Sequence, residues 1–248
     1  MILETRQQRI LEMLESQHIV QLQDLMTALG VSESTIRRDL SQLESLGQCI
    51  RVHGGAKRAY HLEVESTFQQ KIKQQEQAKQ QMAQAAAELV QEQSVIYLDA
   101  GTSTYAMVPY LSHKEIVVVT NGIQHADALT DTKVRVILIG GELKAKTRAI
   151  IGSTAIKQLQ TYRFDQAFMG MNGVDAEWGY TTPDAEESAV KQQAFQQASQ
   201  VYVLADSDKI GKVSFSQVAP IEDAILLTNS LTQGQKEPLQ KQTIVKEC

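Results

Sequence analysis

The chain has 248 residues, 42% of them hydrophobic, enough for one large core or two unequal ones. Its formal net charge of -5 argues against wholesale coating of nucleic acid or of an anionic membrane, although an acidic body can still carry a small basic face. Two cysteines, Cys49 and Cys248, stand far apart, which suggests neither a disulfide framework nor a metal cluster and fits a reducing cytoplasm. The start, "MILETRQQ", shows no charged leader before an apolar segment, so no export signal is expected. Apolar runs such as "IVVVT" and "VRVILIGG" fall far short of the ~20 residues of a spanning helix, so no membrane partner is expected.

In chain order, "TRQQRILEMLES" predicts a first helix, with Thr5 as its cap and Ile10 and Leu14 one turn apart. "LQDLMTALG" predicts a second, with Leu22, Leu25, Met26 and Leu29 on one side and Gly30 as its stop. Ser32 then caps a third helix that runs to Leu46 and ends at Gly47. At ~100° per residue, Ile36, Leu40, Leu43 and Leu46 form one stripe, which turns Ser34, Arg37, Arg38 and Ser41 outward. Two helices joined by a short turn make a helix-turn-helix, whose second helix enters the DNA major groove. There an arginine can fork onto a guanine edge, and hydroxyls can reach bases or phosphates. "QCIRVHGGAK" alternates Ile50 and Val52 with Arg51 and His53 and turns at Gly54-Gly55; with "HIVQL" it predicts a hairpin wing carrying Arg51, Lys57 and Arg58. Residues 31 to 60 hold five Lys/Arg against three Asp/Glu, opposite in sign to the whole chain. Adjacent arginines alone read as solvated surface; the helix pair, the capped third helix and the basic hairpin together favour a DNA reader. His53 reads as a wing or phosphate contact, since nothing nearby completes a catalytic triad, and Cys49 as buried in the wing.

Residues 59 to 93 are rich in Gln, Lys and Glu, yet Phe68, Ile72, Met82, Ala86, Leu89 and Val90 give the stretch a partial helical face. The expected division is a DNA-binding domain over 1–58, a linker over 59–75 and a larger domain over 76–248. From Ser94 onward, "SVIYLD", "EIVVVTN", "VRVILIGG", "QAFMGMNG", "QVYVLAD" and "DAILLTN" alternate with helical stretches. That alternation predicts an α/β domain with a mainly parallel sheet. In "LDAGTST", Asp99 ends a strand, Gly101 permits a tight turn, and Thr102, Ser103 and Thr104 surround the free amides of a helix start. The loop reads either as an anion seat or as a simple helix cap; lacking a P-loop lysine, it implies no nucleotide hydrolysis. Further polar clusters follow other strands: Thr120-Asn121, Gly140-Gly141-Glu142 with Lys144, Asn172-Gly173 with Asp175, and Asp206 with Lys209. Each alone reads as a turn or surface charge; their convergence at strand carboxyl ends describes one polar crevice.

The stretch "RQQRILEMLESQHIVQLQDLMTALGVSESTIRRDLSQLESLGQCIRVHGGA" resembles the winged helix of DeoR-family bacterial transcriptional regulators, with "STIRRDL" and "RVHGGA" its most specific parts. The candidate DNA contacts are then Ser32, Ser34, Thr35, Arg37, Arg38, Ser41, Arg51, His53, Lys57 and Arg58. "LDAGTST", "VVVTNG", "GGELK", "IGSTA", "RFDQAFMGMNGV", "GYTTPDAEESAVK" and "VLADSDKIGKVSF" resemble that family's carboxyl-terminal sensor domain, a Rossmann-like α/β fold similar to ribose-5-phosphate isomerase and glucosamine-6-phosphate deaminase. The resemblance covers nearly the whole chain and implies a sensor of a phosphorylated sugar. The "LDAGTST" loop would hold the phosphate, and Glu142, Asp175, Glu186, Lys191, Asp206 and Lys209 would meet or support the sugar hydroxyls. The motif order looks most like regulators of fructose operons, whose inducer is fructose 1-phosphate. Where many relatives have "DxSKFG", this chain has "DSDKIG", which leaves sugar preference more open than phosphate binding. The expected protein is a cytoplasmic repressor of a sugar-catabolic operon, with operator DNA and a phosphosugar as partners and no cofactor, metal or catalytic residue. Operator reading by such a module uses symmetric pairs, so a homodimer or homotetramer is expected. The alternative is a sugar-phosphate isomerase or deaminase with an appended helical domain. A purely architectural DNA binder would leave most of the chain without a role.

Overall fold

The chain divides into two units, Met1–His61 and Leu62–Cys248. The computed structural model describes residues 2–17, 19–46, 48–58 and 66–248. The expected helix stop at Gly47 and the 59–65 part of the expected linker lie outside the described residues, as does the Arg58 side chain.

In the smaller unit, α1 (Leu3–Gln17), β1 (Ile19–Gln21), α2 (Leu22–Leu29), α3 (Glu33–Ser45), β2 (Cys49–Val52) and β3 (Gly55–Arg58) follow one another. The three strands form an antiparallel sheet in the order β1-β3-β2, so the predicted wing is present. Gly55 sits where an added Cβ would lie 2.1 Å from the Val20 carbonyl oxygen, which demands glycine at the centre of the wing. Gly30 closes α2 in the left-handed region (φ 64°), its N–H donating to the Met26 carbonyl. Ile10, Leu14, Leu25, Ile36, Leu40, Leu43 and Cys49 form the core. Three local expectations are corrected. Thr5 lies inside α1, which begins at Leu3, and so cannot cap it. The apolar stripe of α3 stops at Leu43, because Leu46 is the C-cap and is exposed. On β2, an edge strand, Cys49 turns inward while Ile50 and Val52 are exposed.

The larger unit opens with α4 (Phe68–Ile72) and α5 (Glu76–Glu88), then β4 (Val95–Leu98), α6 (Thr102–Tyr105), α7 (Val108–Leu111), β5 (Val117–Thr120), α8 (Ile123–Leu129) and β6 (Arg135–Leu138). A hairpin of β7 (Glu142–Lys144) and β8 (Ala149–Ile151) precedes α9 (Ser153–Leu159) and β9 (Phe164–Gly170). There follow β10 (Gly173–Asp175), β11 (Gly179–Thr182), α10 (Ala185–Gln197), β12 (Ala198–Leu204), β13 (Ser216–Ala219), β14 (Ile225–Thr228), α11 (Gln233–Gln240) and β15 (Val245–Glu247). Seven strands form one parallel sheet in the order β15-β14-β12-β9-β4-β5-β6. A small antiparallel sheet, β10-β11-β13, adds to it. Ile96 and Leu98 pack with Met82 and Phe168 in one cluster, while Tyr97 packs with Val119 and Met169 in another. Both faces of the parallel sheet are therefore buried, which is why its strands read as continuous apolar runs.

The expected linker is wrong over Ser66–Gln75. Thr67 and Gln70 make a reciprocal capping box at the start of α4. Phe68 is buried, sits edge-on to Tyr105 at 5.5 Å, and donates its N–H to the Lys146 carbonyl. One aromatic anchor and one cap fix a segment whose polar composition suggests a tether. The predicted single helix is broken at Gln75, which adopts φ 50° before α5 begins.

Candidate functional site

On α3, Ser34, Arg37, Arg38 and Ser41 are exposed on the face opposite the core, as the stripe predicts. Ser32 is the N-cap by backbone, but its hydroxyl lies 3.0 Å from those of Ser34 and Thr35 instead of capping an amide. Arg37 Nε donates to Glu33 Oε1 at 2.8 Å, an exposed i,i+4 pair of little strength. Arg38 has no side-chain partner among the described residues. Arg51 is drawn back from the wing: its Nη1 donates to Ser41 Oγ at 2.8 Å and its backbone N–H to Glu44 Oε1 at 3.0 Å. His53 lies exposed at the β2–β3 turn and Lys57 is half-buried on β3. Burial raises the Cys49 thiol, whose Sγ contacts the Leu40 carbonyl, so it is not a reactive thiolate. Asp39, within the same motif, was not anticipated. It is buried, and Arg6 donates to its carboxylate from Nε at 2.5 Å and from Nη2 at 3.0 Å. A charge between Ile36, Leu40 and Leu43 on an inward stripe was the signal for such a partner.

In the larger unit a cleft of about 470 Å³ opens at the carboxyl ends of β4 and β9. From β4 the chain proceeds outward to β5 and β6, and from β9 it proceeds the other way to β12, β14 and β15. Neighbouring strands therefore send their loops in opposite directions at this point, the switch where open α/β sheets leave a crevice. The loop after β4 supplies Asp99, Gly101, Thr102 and Ser103; the loop after β9 supplies Asn172; the turn after β12 supplies Asp206 and Lys209. Lys191 reaches in from α10, with Nζ 2.5 Å from Asp99 Oδ2 and 2.9 Å from the Gly170 carbonyl. Asp99 Oδ2 also accepts the Gly170 N–H, so this carboxylate bolts the two switch-point loops together. The hydroxyls of Thr102 and Ser103 line the cleft with no side-chain partner among the described residues.

Other candidates have structural duties instead. Thr104 is fully buried, with Oγ1 on the Asp99 and Gly101 carbonyls. The helix it is expected to open is a single turn, α6, which has the free amides of one turn and no long helix dipole. Thr120 Oγ1 donates to the Leu98 carbonyl, and Asn121, which does touch the cleft, spends Oδ1 on the Ala100 N–H and Nδ2 on the Ile150 carbonyl. Gly141 serves a close approach, since a Cβ there would meet the Ile151 carbonyl oxygen at 2.6 Å. Glu142 is exposed and outside the cleft lining. Lys144 is not in the lining either, and is held by Asp184 at 2.9 Å and Glu187 at 3.0 Å. Asp175 accepts the Glu177 and Trp178 N–H groups and so shapes the β10–β11 turn. Glu186 points to solvent, whereas its neighbour Glu187 is buried, lines the cleft and accepts the Thr147 hydroxyl at 2.6 Å. The cleft also contains lysines not anticipated as site residues: Lys71, Lys79 and Lys212. Burial pushes Lys79 down to about 8, against the pull of Asp206.

Comparison with known proteins adds two domain matches. Residues 6–61 match the DeoR-like helix-turn-helix domain and residues 74–230 the DeoR C-terminal sensor domain. The HTH-type transcriptional regulator FruR of Bacillus subtilis (strain 168) is 42% identical over 99% of this chain and 98% of its own length. The HTH-type transcriptional repressor GlcR of the same organism is 34% identical over 90% of this chain and 87% of its own length. A putative aga operon transcriptional repressor of Escherichia coli O157:H7 is 31% identical, covering 95% of this chain and 90% of itself. Among solved structures, ribose 5-phosphate isomerase A from Methanocaldococcus jannaschii matches 54% of this chain and 54% of its own with a TM-score of 0.41 at 16% identity.

Proposed function

The chain belongs to the DeoR family of helix-turn-helix transcriptional regulators, and from that premise we propose that it represses a sugar-catabolic operon and is released by a phosphorylated sugar, with fructose 1-phosphate the favoured effector. The observation that carries the effector reading is the cleft at the β4–β9 switch point. There the backbone amides of α6 and the unspent hydroxyls of Thr102 and Ser103 stand beside buried lysines. Such donors suit a phosphate dianion, and about 470 Å³ lies within the usual range of small-ligand sites. The effector set is Gly101, Thr102, Ser103, Asn172, Asp206 and Lys209, with Asp99 and Lys191 as the frame that holds the loops. The motif resemblance to fructose-operon regulators, and the name of the FruR relative, support fructose 1-phosphate over other phosphosugars.

On the DNA side, Arg38 and Arg37 read bases, Ser34 and Ser41 assist, and His53 and Lys57 meet phosphates from the wing. Arg51 fixes the wing to α3. A pair of such readers meets a two-fold operator, so the working form is a homo-oligomer in the cytoplasm. Among the described residues no helix is long and apolar enough to cross a membrane. The protein senses its sugar without converting it. The carboxylates that line the cleft are each engaged: Asp99 with Lys191, Asp206 with the Asp208 N–H, Asp208 with Gln75 and Glu187 with the Thr147 hydroxyl.

The test is calorimetry with fructose 1-phosphate, fructose 6-phosphate and fructose, followed by operator binding with each. A phosphorylated sugar should bind at least about a hundredfold more tightly than fructose, since two charge-assisted bonds of ~1.5–3 kcal/mol each are forfeited without the phosphate. Equal affinity for fructose and its phosphates would reduce the loop to a helix cap.

A further inference from the structure

The segment Ser66–Gln75, which the sequence presents as a tether, forms part of the wall of the cleft. Lys71, Gln74 and Gln75 line it, and so does Lys79 from the first turns of α5. Lys79 is 5% exposed, and its ammonium donates to the Lys71 carbonyl at the end of α4. Lys79 and Thr102 are also shared with a second cleft of about 550 Å³, bordered by Ile72, Tyr105 and Pro109. The two residues therefore border both clefts, Lys79 on α5 and Thr102 on α6, helices that contact each other.

We propose that Lys79 is the cation that reads an anionic ligand in this cleft, and that in turning from the Lys71 carbonyl to the anion it releases the Ser66–Gln75 segment, through which the chain runs toward the DNA-binding unit. The inference rests on the phosphate reading of the 101–103 loop given above. The Lys71 carbonyl meets the ammonium only as a dipole, whereas a phosphate dianion sets full opposite charge against it. The exchange is thus favourable for a phosphorylated ligand and has no driving force with a free sugar. The groups facing the ammonium are Asp206 and Lys209 from the turn after β12, Lys71 from α4, and Glu76 on its own helix. Lys71 and Lys209 crowd it with like charge, which an arriving anion relieves. Gln75 Nε2, at 2.6 Å from Asp208 Oδ2, is a second tie between the segment and the cleft, so the segment loosens at α4 while remaining attached at its end. With its pKa near 8, Lys79 is only partly charged at pH 8, and an anion beside it completes its protonation.

The experiment uses the full chain with fructose 1-phosphate and inorganic phosphate as probes. Hydrogen exchange on the wild type should show slower exchange at Thr102–Tyr105 and faster exchange over 68–74 when either probe is added. Calorimetry at pH 8 in buffers of different ionisation enthalpy should show net proton uptake on binding, because the phosphate is already a dianion there. Lys79→Met should weaken binding about 10- to 100-fold, abolish the proton uptake and leave 68–74 exchanging fast with or without probe. Wild-type affinity in Lys79→Met, no proton uptake by the wild type, or exchange over 68–74 in the wild type that does not change with either probe would each overturn the proposal while protection at Thr102–Tyr105 still supports the phosphate site. If neither probe protects Thr102–Tyr105 in the wild type, the phosphate reading falls and this inference falls with it.

Discussion

His125 gives a quantitative test of how the loop over the switch point is supported. It is fully buried on α8, beneath α6, with its ring edge-on to Tyr105 at 5.3 Å. Its Nε2 lies 3.2 Å from Thr104 Oγ1, whose one proton is directed at the Asp99 or Gly101 carbonyl. The hydroxyl must then accept from Nε2–H, which leaves Nδ1 bare. Nδ1 has no hydrogen-bond partner among the described residues, and it occupies space that only glycine at 122 leaves, a Cβ there meeting it at 2.4 Å. Burial pushes the His125 pKa from 6.5 down to about 4, against the attraction of Asp99 and a hydrogen bond to the Gly101 backbone, with Lys191 adding a smaller push downward. Because the folded pKa is depressed, the stabilisation is complete above pH 6.5 and is lost as the pH falls toward 4, when the unfolded chain takes up the proton first. A depression of this size corresponds to ~3 kcal/mol. Urea unfolding of ligand-free protein, followed by the single Trp178 of the larger unit, should be compared between pH 7.5 and 4.5 for the wild type and His125→Gln. The glutamine keeps a donor for Thr104 and does not titrate, while carboxylate effects common to both proteins cancel. The wild type should lose about 2–3 kcal/mol more than the variant across that range. Parallel pH profiles would refute the buried neutral imidazole.

Four further outcomes are expected. Asp39→Ala removes the buried carboxylate that accepts two Arg6 N–H groups and should cost the small unit ~1.5–3 kcal/mol; calorimetry should show that unit's transition lowered and the larger unit's unchanged. Arg38→Ala should weaken operator binding about tenfold to a hundredfold, and Arg37→Ala somewhat less, because its guanidinium must first leave Glu33; normal binding by both in a gel-shift titration would remove α3 from the groove. Thr102→Val with Ser103→Ala should abolish the response to fructose 1-phosphate and spare operator binding, whereas Thr104→Val should chiefly lower the melting temperature, as its hydroxyl serves two carbonyls. Incubation with hexose and pentose phosphates, followed by NMR, should show stoichiometric binding without product; sustained turnover would restore the enzyme reading.

The winged helix was legible because each of its signals is local. Gly30 ends one helix, the α3 stripe sets which residues face out, and the paired glycines set the wing. The parallel sheet was legible because burial of both faces writes an uninterrupted apolar run. Ser66–Gln75 reads as a tether because eight of its ten residues are polar, while one aromatic ring and one capping box, which hold it, barely alter the composition. The sequence resemblance points to Glu186, whereas Glu187 lines the cleft. One helical step is ~100°, and the clue was available: Glu187 lies four residues before Lys191 and so shares its face, as Glu186 does not. The strand-end candidates divide on a property that no one-dimensional pattern carries. Thr104, Thr120, Asn121 and Asp175 have their polar atoms consumed by neighbouring backbone groups. Thr102 and Ser103, of the same hydroxyl type and adjacent in sequence, line the cleft with their hydroxyls left without a hydrogen-bond partner among the described residues. Position at a strand end follows from periodicity; a role in binding follows from which hydrogen-bonding groups the fold leaves unspent, and that is settled only when distant carbonyls such as Leu98 and Ile150 arrive beside them.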